Sequence, residues 1–424
     1  MTGTTTTRTA PGGTAPRTRT RAVFTGIGVA APGGLGREEW WAATLRGESA
    51  IGPVTEYDAS GHAGALVGRV PGFEAEKLLP GRLLPQTDRV TRLALVAAQE
   101  ALDDAGADPA TFPEYGMSVV TSNATGGFEF THREIRKLWT EGPKRVSVYE
   151  SFAWFYAVNT GQISIRHGMR GAGGVLVSDQ AGGLDALGQA RRTLRKGGAL
   201  AVTGALESAL DPWGLAAHLS SGDYSRSGDP RTAFLPFDSR ASGAVPGEGG
   251  ALFALEDGAH AEERGASQVY GELAGYAATF DPPPGSPRPP GLERAARLAL
   301  ADAGAAPEDI DVVFPDAAGV SARDDAEATA LRNLFGPYGV PVSVPKTLTG
   351  RLSSGSPALD VASALLAVRD GLVPPAVHLD RPVPGHRLDL VRDTPRELRV
   401  RTVLVLARGH GGFNAAVVLR APRG

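Results

Sequence analysis

The stretch VLVSDQAGGLDA, residues 175–186, is the part of the sequence that decides the fold. Its apolar start predicts a buried strand over 175–178, and a helix is predicted to follow from about 184 to 195. The small residues 181–183 allow the strand to turn sharply into the helix, as in a nucleophile elbow. Such a turn points one side chain at the helix N-terminus, where backbone N–H groups can hold an oxyanion. That side chain is Gln180, whose carboxamide neither titrates nor attacks. Taken alone, it favours an ordinary glutamine in a tight turn.

The composition excludes several kinds of chemistry. The 424 residues include no cysteine, which excludes disulfides, thiolate metal sites and a thiol nucleophile. The net charge is −3 and no local run is strongly basic, so no nucleic-acid partner is expected. No run of about 18 apolar residues occurs, so no membrane span is expected either. The eight histidines lack metal-ligand spacing and are interpreted as surface or internally satisfied residues, so no metal is predicted.

The N-terminal segment differs from the rest of the chain. Residues 1–20 are rich in Thr, Gly and Arg and have almost no apolar surface to bury, which predicts a disordered tail. The segment lacks the apolar stretch of a secretory signal, and a cytoplasmic location is expected. Ordered structure is predicted to begin with a short strand over 21–26.

A glycine pattern near this start is weak as a nucleotide signal. Gly26, Gly28 and Ala31 match G-x-G-x-x-A, but Pro32 and the glycines after it delay the helix that would receive a pyrophosphate. The pattern is interpreted as a glycine-rich turn, and no cofactor is predicted.

The sequence contains an internal repeat. ALDDAGADP at 101–109 and ALADAGAAP at 299–307 agree at seven of nine positions. The first copy ends an amphipathic helix predicted over 87–104, and each copy leads through a short strand to a loop of small residues. The repeat predicts two α/β halves, residues 21–255 and 256–424. Because strands alternate with helices, a mainly parallel inner sheet is expected.

Several motifs together resemble one enzyme family. The segment around Gln180 resembles the active-site region of the ketosynthases, the condensing enzymes of the thiolase fold, with glutamine in place of their cysteine. Three further matches lie along the chain: FLPFDSR at 234–240 with GEGG at 247–250, KTLTGR at 346–351, and GHGGFN at 409–414. The resemblance implies a thiolase-like α/β fold, with duplicated halves in a five-layer αβαβα arrangement.

The departures from the ketosynthase pattern are as informative as the matches. Ketosynthases use a cysteine to carry the acyl chain and two histidines to decarboxylate the malonyl unit and stabilise the enolate. The cysteine position is Gln180 here, and the histidine positions are Ala318 and Arg351; only Lys346 remains of the polar set. The chain therefore resembles the chain length factors, or ketosynthase β subunits, of type II aromatic polyketide synthases.

This second resemblance implies a partner and a tunnel. A chain length factor pairs with a cysteine-bearing ketosynthase α subunit, and the pair elongates malonyl units delivered by an acyl carrier protein. The poly-β-keto intermediate grows into a shared tunnel whose end helps set its length. Residue by residue, Phe128, Thr131 and Ile135 match the gating segment and Trp213 matches another tunnel-lining position. The alternative is that Phe128 and Ile135 are ordinary core residues of a helix face.

Two other functions remain open at this point. Glutamine at the cysteine position accompanies malonyl decarboxylation in some loading ketosynthases, so the chain could supply an acetyl starter through Gln180. Because both family histidines are missing, little or no decarboxylation is expected, and no condensing activity is expected from this subunit alone. The chain could also be a pseudoenzyme scaffold that only stabilises a ketosynthase.

Overall fold

The computed structural model describes residues 20–62, 64–283 and 285–423, so the predicted tail, apart from Thr20, lies outside the described residues. The strands are β1 Ala22–Ala31, β2 Gly34–Leu35, β3 Ile51–Pro53, β4 Leu66–Gly68, β5 Met117–Ser122, β6 Gly173–Leu176, β7 Leu200–Glu207, β8 Gly249–Asp257, β9 Gly271–Phe280, β10 Val312–Phe314, β11 Pro341–Val342, β12 Leu372–Val373, β13 Asp389–Leu390, β14 Arg396–Glu397, β15 Thr402–Arg408 and β16 Phe413–Arg420. The helices are α1 Arg37–Leu45, α2 Ala75–Leu78, α3 Arg89–Asp104, α4 Phe128–Glu141, α5 Glu150–Ala153, α6 Val158–His167, α7 Gly182–Arg195, α8 Pro212–Ser220, α9 Gly258–Glu263, α10 Leu292–Ala303, α11 Ser321–Phe335 and α12 Gly355–Asp370.

Helix α3 forms where the apolar periodicity predicts it. Asp88 caps its start, accepting a hydrogen bond from the Val90 N–H at 2.9 Å, and Gly106 with φ 58° follows its end. One face of the helix is fully buried against β1 and β8. The prediction over 87–104 is confirmed, with the first turn starting two residues later.

The sheet order repeats in the two halves. In the first half the strands lie in the order β1-β8-β7-β5-β6, and in the second β9-β16-β15-β10-β11, with β13 added at the edge. In both series the first two pairings are antiparallel and the next two are parallel. The two series join where β1 pairs with β9 over only two residues. The duplication is therefore present in topology as well as in sequence.

The core consists of three apolar clusters in successive layers. A central cluster contains α7 and α12 between the two strand series. An outer cluster packs α3 and α6 on the first series, and another packs α10 and α11 on the second. The order is helix, sheet, helix, sheet, helix, which is the predicted five-layer αβαβα arrangement. No helix among the described residues is long and apolar enough to cross a bilayer.

Two expectations about the strands are wrong. The sheet is mixed rather than mainly parallel, because β8 and β16 run antiparallel to both of their neighbours. A strand buried on both faces shows the same continuous apolar run in either direction, so the pattern does not reveal its sense. The strand predicted over 175–178 is β6, which ends at Leu176; it is a half-exposed edge strand and not a buried one.

The glycine pattern at the N-terminus is also not a turn. Gly26 and Gly28 lie inside the ten-residue strand β1. A Cβ on Gly26 would lie 2.0 Å from the Ala101 carbonyl oxygen, and one on Gly28 would lie 1.9 Å from that of Ala97. The glycines therefore allow α3 to approach the sheet closely. In the second half, Gly275 makes the same approach to α10, with 2.1 Å to the Ala299 oxygen.

Candidate active site

The site is built on the turn between β6 and α7. Asp179 has a φ of 50°, a left-handed conformation that a non-glycine residue adopts at a cost. Two hydrogen bonds hold its carboxylate, one from the Ser353 hydroxyl at 3.0 Å and one from the His410 N–H at 2.6 Å. The turn presents Gln180, whose side chain is 5% exposed and whose Oε1 has no hydrogen-bond partner among the described residues.

The residues after Gln180 are small because the start of α7 closely approaches both β5 and the residue before α12. A Cβ on Gly182 would lie 2.1 Å from the Ser122 hydroxyl oxygen, and one on Gly183 would lie 2.4 Å from the Ser354 carbonyl oxygen. Only glycine allows this approach without displacing the neighbouring segments. The turn into a helix predicted after Gln180 is therefore present, and α7 begins at Gly182, two residues earlier than predicted.

A cavity of about 320 Å³ opens beside Gln180. The three positions assigned to the missing catalytic groups all line it: Gln180, Ala318 and Arg351. Phe128 lines it as well, on the side of α4. The fold therefore brings the three positions predicted from the family motifs to one place in space, although they are up to 171 residues apart in the chain.

A buried ion pair is formed by Arg351, at the position predicted for the second histidine. Arg351 and Asp316 are 6% and 5% exposed, and the two guanidinium nitrogens lie 3.1 Å from the two carboxylate oxygens. This is a bidentate pair, the strongest arrangement for these two groups. Burial alone would raise the pKa of Asp316, but the charges of Arg351 and Lys346 outweigh burial and hold that pKa below its ordinary value.

Lys346 takes part in the same buried network. Its Nζ lies 2.7 Å from an Asp360 carboxylate oxygen and donates to the carbonyl oxygens of Pro315 and Asp316. The lysine thus holds the loop that carries Ala318 by its backbone. These contacts give Lys346 a structural role in holding the loop.

Two more buried carboxylates hold this loop by its N–H groups. Glu327 accepts from the N–H of Asp316 and of Ala317, each at 2.8 Å, and Asp324 accepts from the Gly319 N–H at 3.1 Å. Burial raises the pKa of Asp324 to about 7, and burial together with the neighbouring Asp316 charge raises the pKa of Glu327 to about 7. Hydrogen bonds from its backbone N–H groups to these carboxylates therefore hold the loop that carries Ala318, and this anchoring does not depend on the Ala318 side chain.

Sequence reasoning missed the imidazoles that do reach the cavity. His218, on α8, and His410 both line it, a location that the interpretation of all histidines as surface or satisfied residues does not indicate. Burial lowers the pKa of His218 to about 4, so this imidazole is neutral at pH 7. His410 is 70% exposed at the mouth. Neither residue stands at a position where the family motifs have histidine. The sequence of α8 also has no spacing pattern that would predict His218 at this cavity.

The residues of the predicted gate lie on one helix and its neighbour. The Phe128 ring, on α4, stacks on the Trp213 ring of α8 with centroids 4.7 Å apart and planes at 28°. Thr131 follows one turn along α4 and is half-buried, whereas Ile135, a further turn along, is 37% exposed. Thr131, Ile135 and Trp213 are not among the residues that line the cavity around Gln180.

At the three positions predicted from the motifs, the cavity presents an amide, a methyl group and an ion-paired guanidinium, and a neutral histidine lies on α8. No cluster of histidine and acidic residues with metal-binding geometry occurs in the described part of the chain.

Comparison with known proteins identifies the family. The model of the β-ketoacyl synthase N-terminal domain matches residues 20–261, and the model of its C-terminal domain matches residues 270–380. The chain belongs to the β-ketoacyl synthase family. The family resemblance inferred from the motifs is thereby confirmed, as is the thiolase-like fold.

Individual relatives cover nearly the whole chain. A Streptomyces coelicolor protein named "Actinorhodin polyketide putative beta-ketoacyl synthase 2" is 60% identical over 94% of this chain and 98% of its own length. The tetracenomycin polyketide synthase ketoacyl synthase beta subunit of Streptomyces glaucescens is 58% identical over 94% of this chain and 98% of its own length. A solved structure, the ishigamide ketosynthase/chain length factor, superposes with a TM-score of 0.87 at 26% identity, covering 96% of this chain and 100% of that chain. These relatives agree with the predicted resemblance to ketosynthase β subunits.

Proposed function

We propose that this chain is the non-condensing chain length factor of a heterodimeric ketosynthase in aromatic polyketide biosynthesis. Its partner is a ketosynthase α subunit with an active cysteine, and the pair builds a poly-β-keto chain from malonyl units on an acyl carrier protein. The observation that carries the proposal is the intact cavity in which Gln180, Ala318 and Arg351 replace all three catalytic groups. Relatives named as ketosynthase β and β-ketoacyl synthase 2 subunits support it.

The division into two halves, residues 21–255 and 256–424, belongs to the same proposal. The repeated strand order and the separate matches to N-terminal and C-terminal domain models support it. The disordered tail over 1–20 and the cytoplasmic location stay predictions from the sequence.

The surface around β6 supports pairing with another chain. β6 is a sheet edge whose outer backbone groups have no strand beside them among the described residues. Large apolar side chains stand exposed nearby in the sequence, including Val177 at 48% and, on α6, Ile165 at 76%. An exposed edge strand flanked by apolar side chains is a template for pairing. We assign this surface to the ketosynthase α subunit, because the partner of a chain length factor is a protein of the same fold with a matching edge.

A paired substitution tests this surface. Ile165→Glu places a charge on the proposed interface, whereas Leu298→Glu places one on α10 of the second half, where Leu298 is 45% exposed. After co-expression with a cysteine-bearing ketosynthase, size-exclusion chromatography should show the heterodimer for wild type and for Leu298→Glu but not for Ile165→Glu. Loss of the heterodimer with both variants, or with neither, would contradict the assignment.

The activity test uses the reconstituted system. Purified chain with carrier protein and malonyl units should form no polyketide alone, and it should form one when the ketosynthase α subunit is added. A polyketide from this chain alone would overturn the proposal.

The two other functions are less well supported. A decarboxylase would need a group that stabilises the enolate, and the positions that supply it in the family hold Ala318 and the ion-paired Arg351. Carbon dioxide release from malonyl carrier protein, compared for wild type and Gln180→Ala, measures this directly; strong release that depends on Gln180 would favour the decarboxylase. A scaffold would stabilise its partner without affecting product length, which substitution at the gate distinguishes.

A further inference from the structure

One carboxylate links the two helices that carry the predicted gate. Asp211 is the N-cap of α8: its oxygens accept from the N–H groups of Trp213 at 3.1 Å and Gly214 at 3.3 Å. The Oδ2 atom of the same carboxylate lies 2.6 Å from Nδ1 of His132, on α4. At that distance an Nδ1–H of His132 donates to the carboxylate, so the cap of α8 is also the anchor of α4.

The anchor lies directly beside the aromatic stack. His132 follows Phe128 by one turn of α4, and Trp213 follows Asp211 by two residues on α8. The Phe128 and Trp213 rings stack at 4.7 Å, and the His132 ring lies 6.4 Å from the Trp213 ring. The stack and the polar contact therefore join the same two helices at neighbouring points.

Few other contacts fix α4 to the body of the protein, the main one being the Phe130 N–H, which donates to Asp88 Oδ2 at 2.7 Å. Of its 14 residues, all of them described, only Phe130 and Glu134 are buried. A helix held by so few buried side chains can shift relative to α8 if a polar contact is removed. Because Phe128 also lines the cavity beside Gln180, such a shift would change the width of the space next to it.

We propose that His132 is a positioning residue for product length: through Asp211 it holds Phe128 against Trp213 and keeps the end of the tunnel closed. This inference rests on the proposed function, because it assumes that the stack closes a tunnel. It adds residues that carry no assigned role in the gate, since neither His132 nor Asp211 needs to touch the growing chain.

The test compares two substitutions at one position. His132→Asn keeps an N–H donor at the place of Nδ1, and His132→Leu keeps the bulk without a donor. With the reconstituted heterodimer and carrier protein, we expect His132→Asn to give the wild-type product distribution. We expect His132→Leu to raise the ratio of longer products to the main product by roughly tenfold, the factor corresponding to a lost hydrogen bond to a charged group.

Asp211→Asn tests the same contact between His132 and Asp211 from the other side. It keeps an oxygen that can accept from the α8 N–H groups and removes the charge that binds His132, so it should also shift products to greater length. This variant decides the matter if His132→Leu fails to assemble with its partner. An unchanged distribution in the assembled variants would overturn the inference, as would a change of equal size in His132→Asn. If the wild-type pair makes no polyketide at all, it is the proposed function that fails.

Discussion

Replacing Arg351 by methionine measures how much the buried ion pair between Arg351 and Asp316 stabilises the fold. Methionine fills a similar volume without charge, so Asp316 loses its bidentate partner while the surrounding chain keeps its shape. Asp316 is 5% exposed, and its carboxylate also accepts from the Arg408 N–H at 3.0 Å. The carboxylate therefore stays buried, with one backbone donor and the more distant Lys346 to stabilise its charge.

The size of the effect follows from this residual stabilisation. Removing one partner of a buried pair costs about 3–5 kcal/mol, because the remaining charge is left uncompensated. Lys346 already contacts the backbone oxygen of Asp316, which places the expected loss at the lower end, about 3 kcal/mol. If the free energy of unfolding falls by about 3 kcal/mol per molar urea, the urea concentration at the unfolding midpoint should fall by about 1 M.

The assay is urea unfolding followed by far-ultraviolet circular dichroism, with Arg323→Met as the matched control. Arg323 lines the same cavity, and its guanidinium lies 2.8 Å from Asp223, but its side chain is 34% exposed. A surface pair contributes about 0–1 kcal/mol, so the control should shift the midpoint by at most about 0.3 M, a third of the main effect.

The stability difference between wild type and Arg351→Met should also change with pH in a definite direction. Arg351 lowers the pKa of Asp316 in the folded protein, so the pair contributes stability above the ordinary carboxyl pKa and loses it as pH falls through the folded value. In Arg351→Met, burial without that charge raises the pKa of Asp316, and the folded variant takes up a proton at higher pH. The difference between wild type and variant should therefore be largest near pH 7 and should shrink as pH is lowered toward 4. Equal shifts for Arg351→Met and Arg323→Met, or a difference that grows at low pH, would refute the reasoning.

Two further substitutions test the tunnel and the fold. Ile135→Phe should shorten the dominant product of the heterodimer, because a bulkier side chain occupies the gating segment; product lengths measured by mass spectrometry decide this, and an unchanged length would reject the gate at Ile135. Gly28→Ala should destabilise the chain by about 1–3 kcal/mol or more, because its Cβ would lie 1.9 Å from the Ala97 carbonyl oxygen. Gly52→Ala, where no atom lies within 4 Å of the added carbon, should leave the urea midpoint nearly unchanged, and equal effects would contradict the close approach of α3 to β1.

The parts of the fold that depend on local pattern could be predicted from the sequence. Helices α3 and α7 lie within two residues of their predicted positions, because apolar periodicity and a capping or turn residue act over a few positions. The direction of β8 and the exposure of β6 could not, because both depend on which strands lie alongside. The same holds for Gly26 and Gly28, whose role is visible only when α3 is placed against β1.

The site divides in the same way. A family motif marks Gln180 and Arg351, and the structure brings both to one cavity with Ala318. The partner of Arg351 was not predictable, because Asp316 lies 35 residues away and no motif marks it. His218 was missed for a related reason: it reaches the cavity from α8, whose sequence has no spacing rule that connects it to the turn at Gln180.

The buried pair of Arg351 and Asp316 also affects whether a catalytic histidine could be restored at position 351. Replacing Arg351 by histidine would restore one residue of the family pattern. The imidazole could not, however, reproduce the two hydrogen bonds that Arg351 donates to Asp316. The carboxylate would then stay buried against Lys346, the Arg408 N–H and the backbone of the loop that carries Ala318. Such a variant would lose stability before it gained an enolate-stabilising group, unless Asp316 changed as well. Under the proposed function, Arg351 thus both replaces a catalytic histidine and stabilises the cavity through its two hydrogen bonds to Asp316.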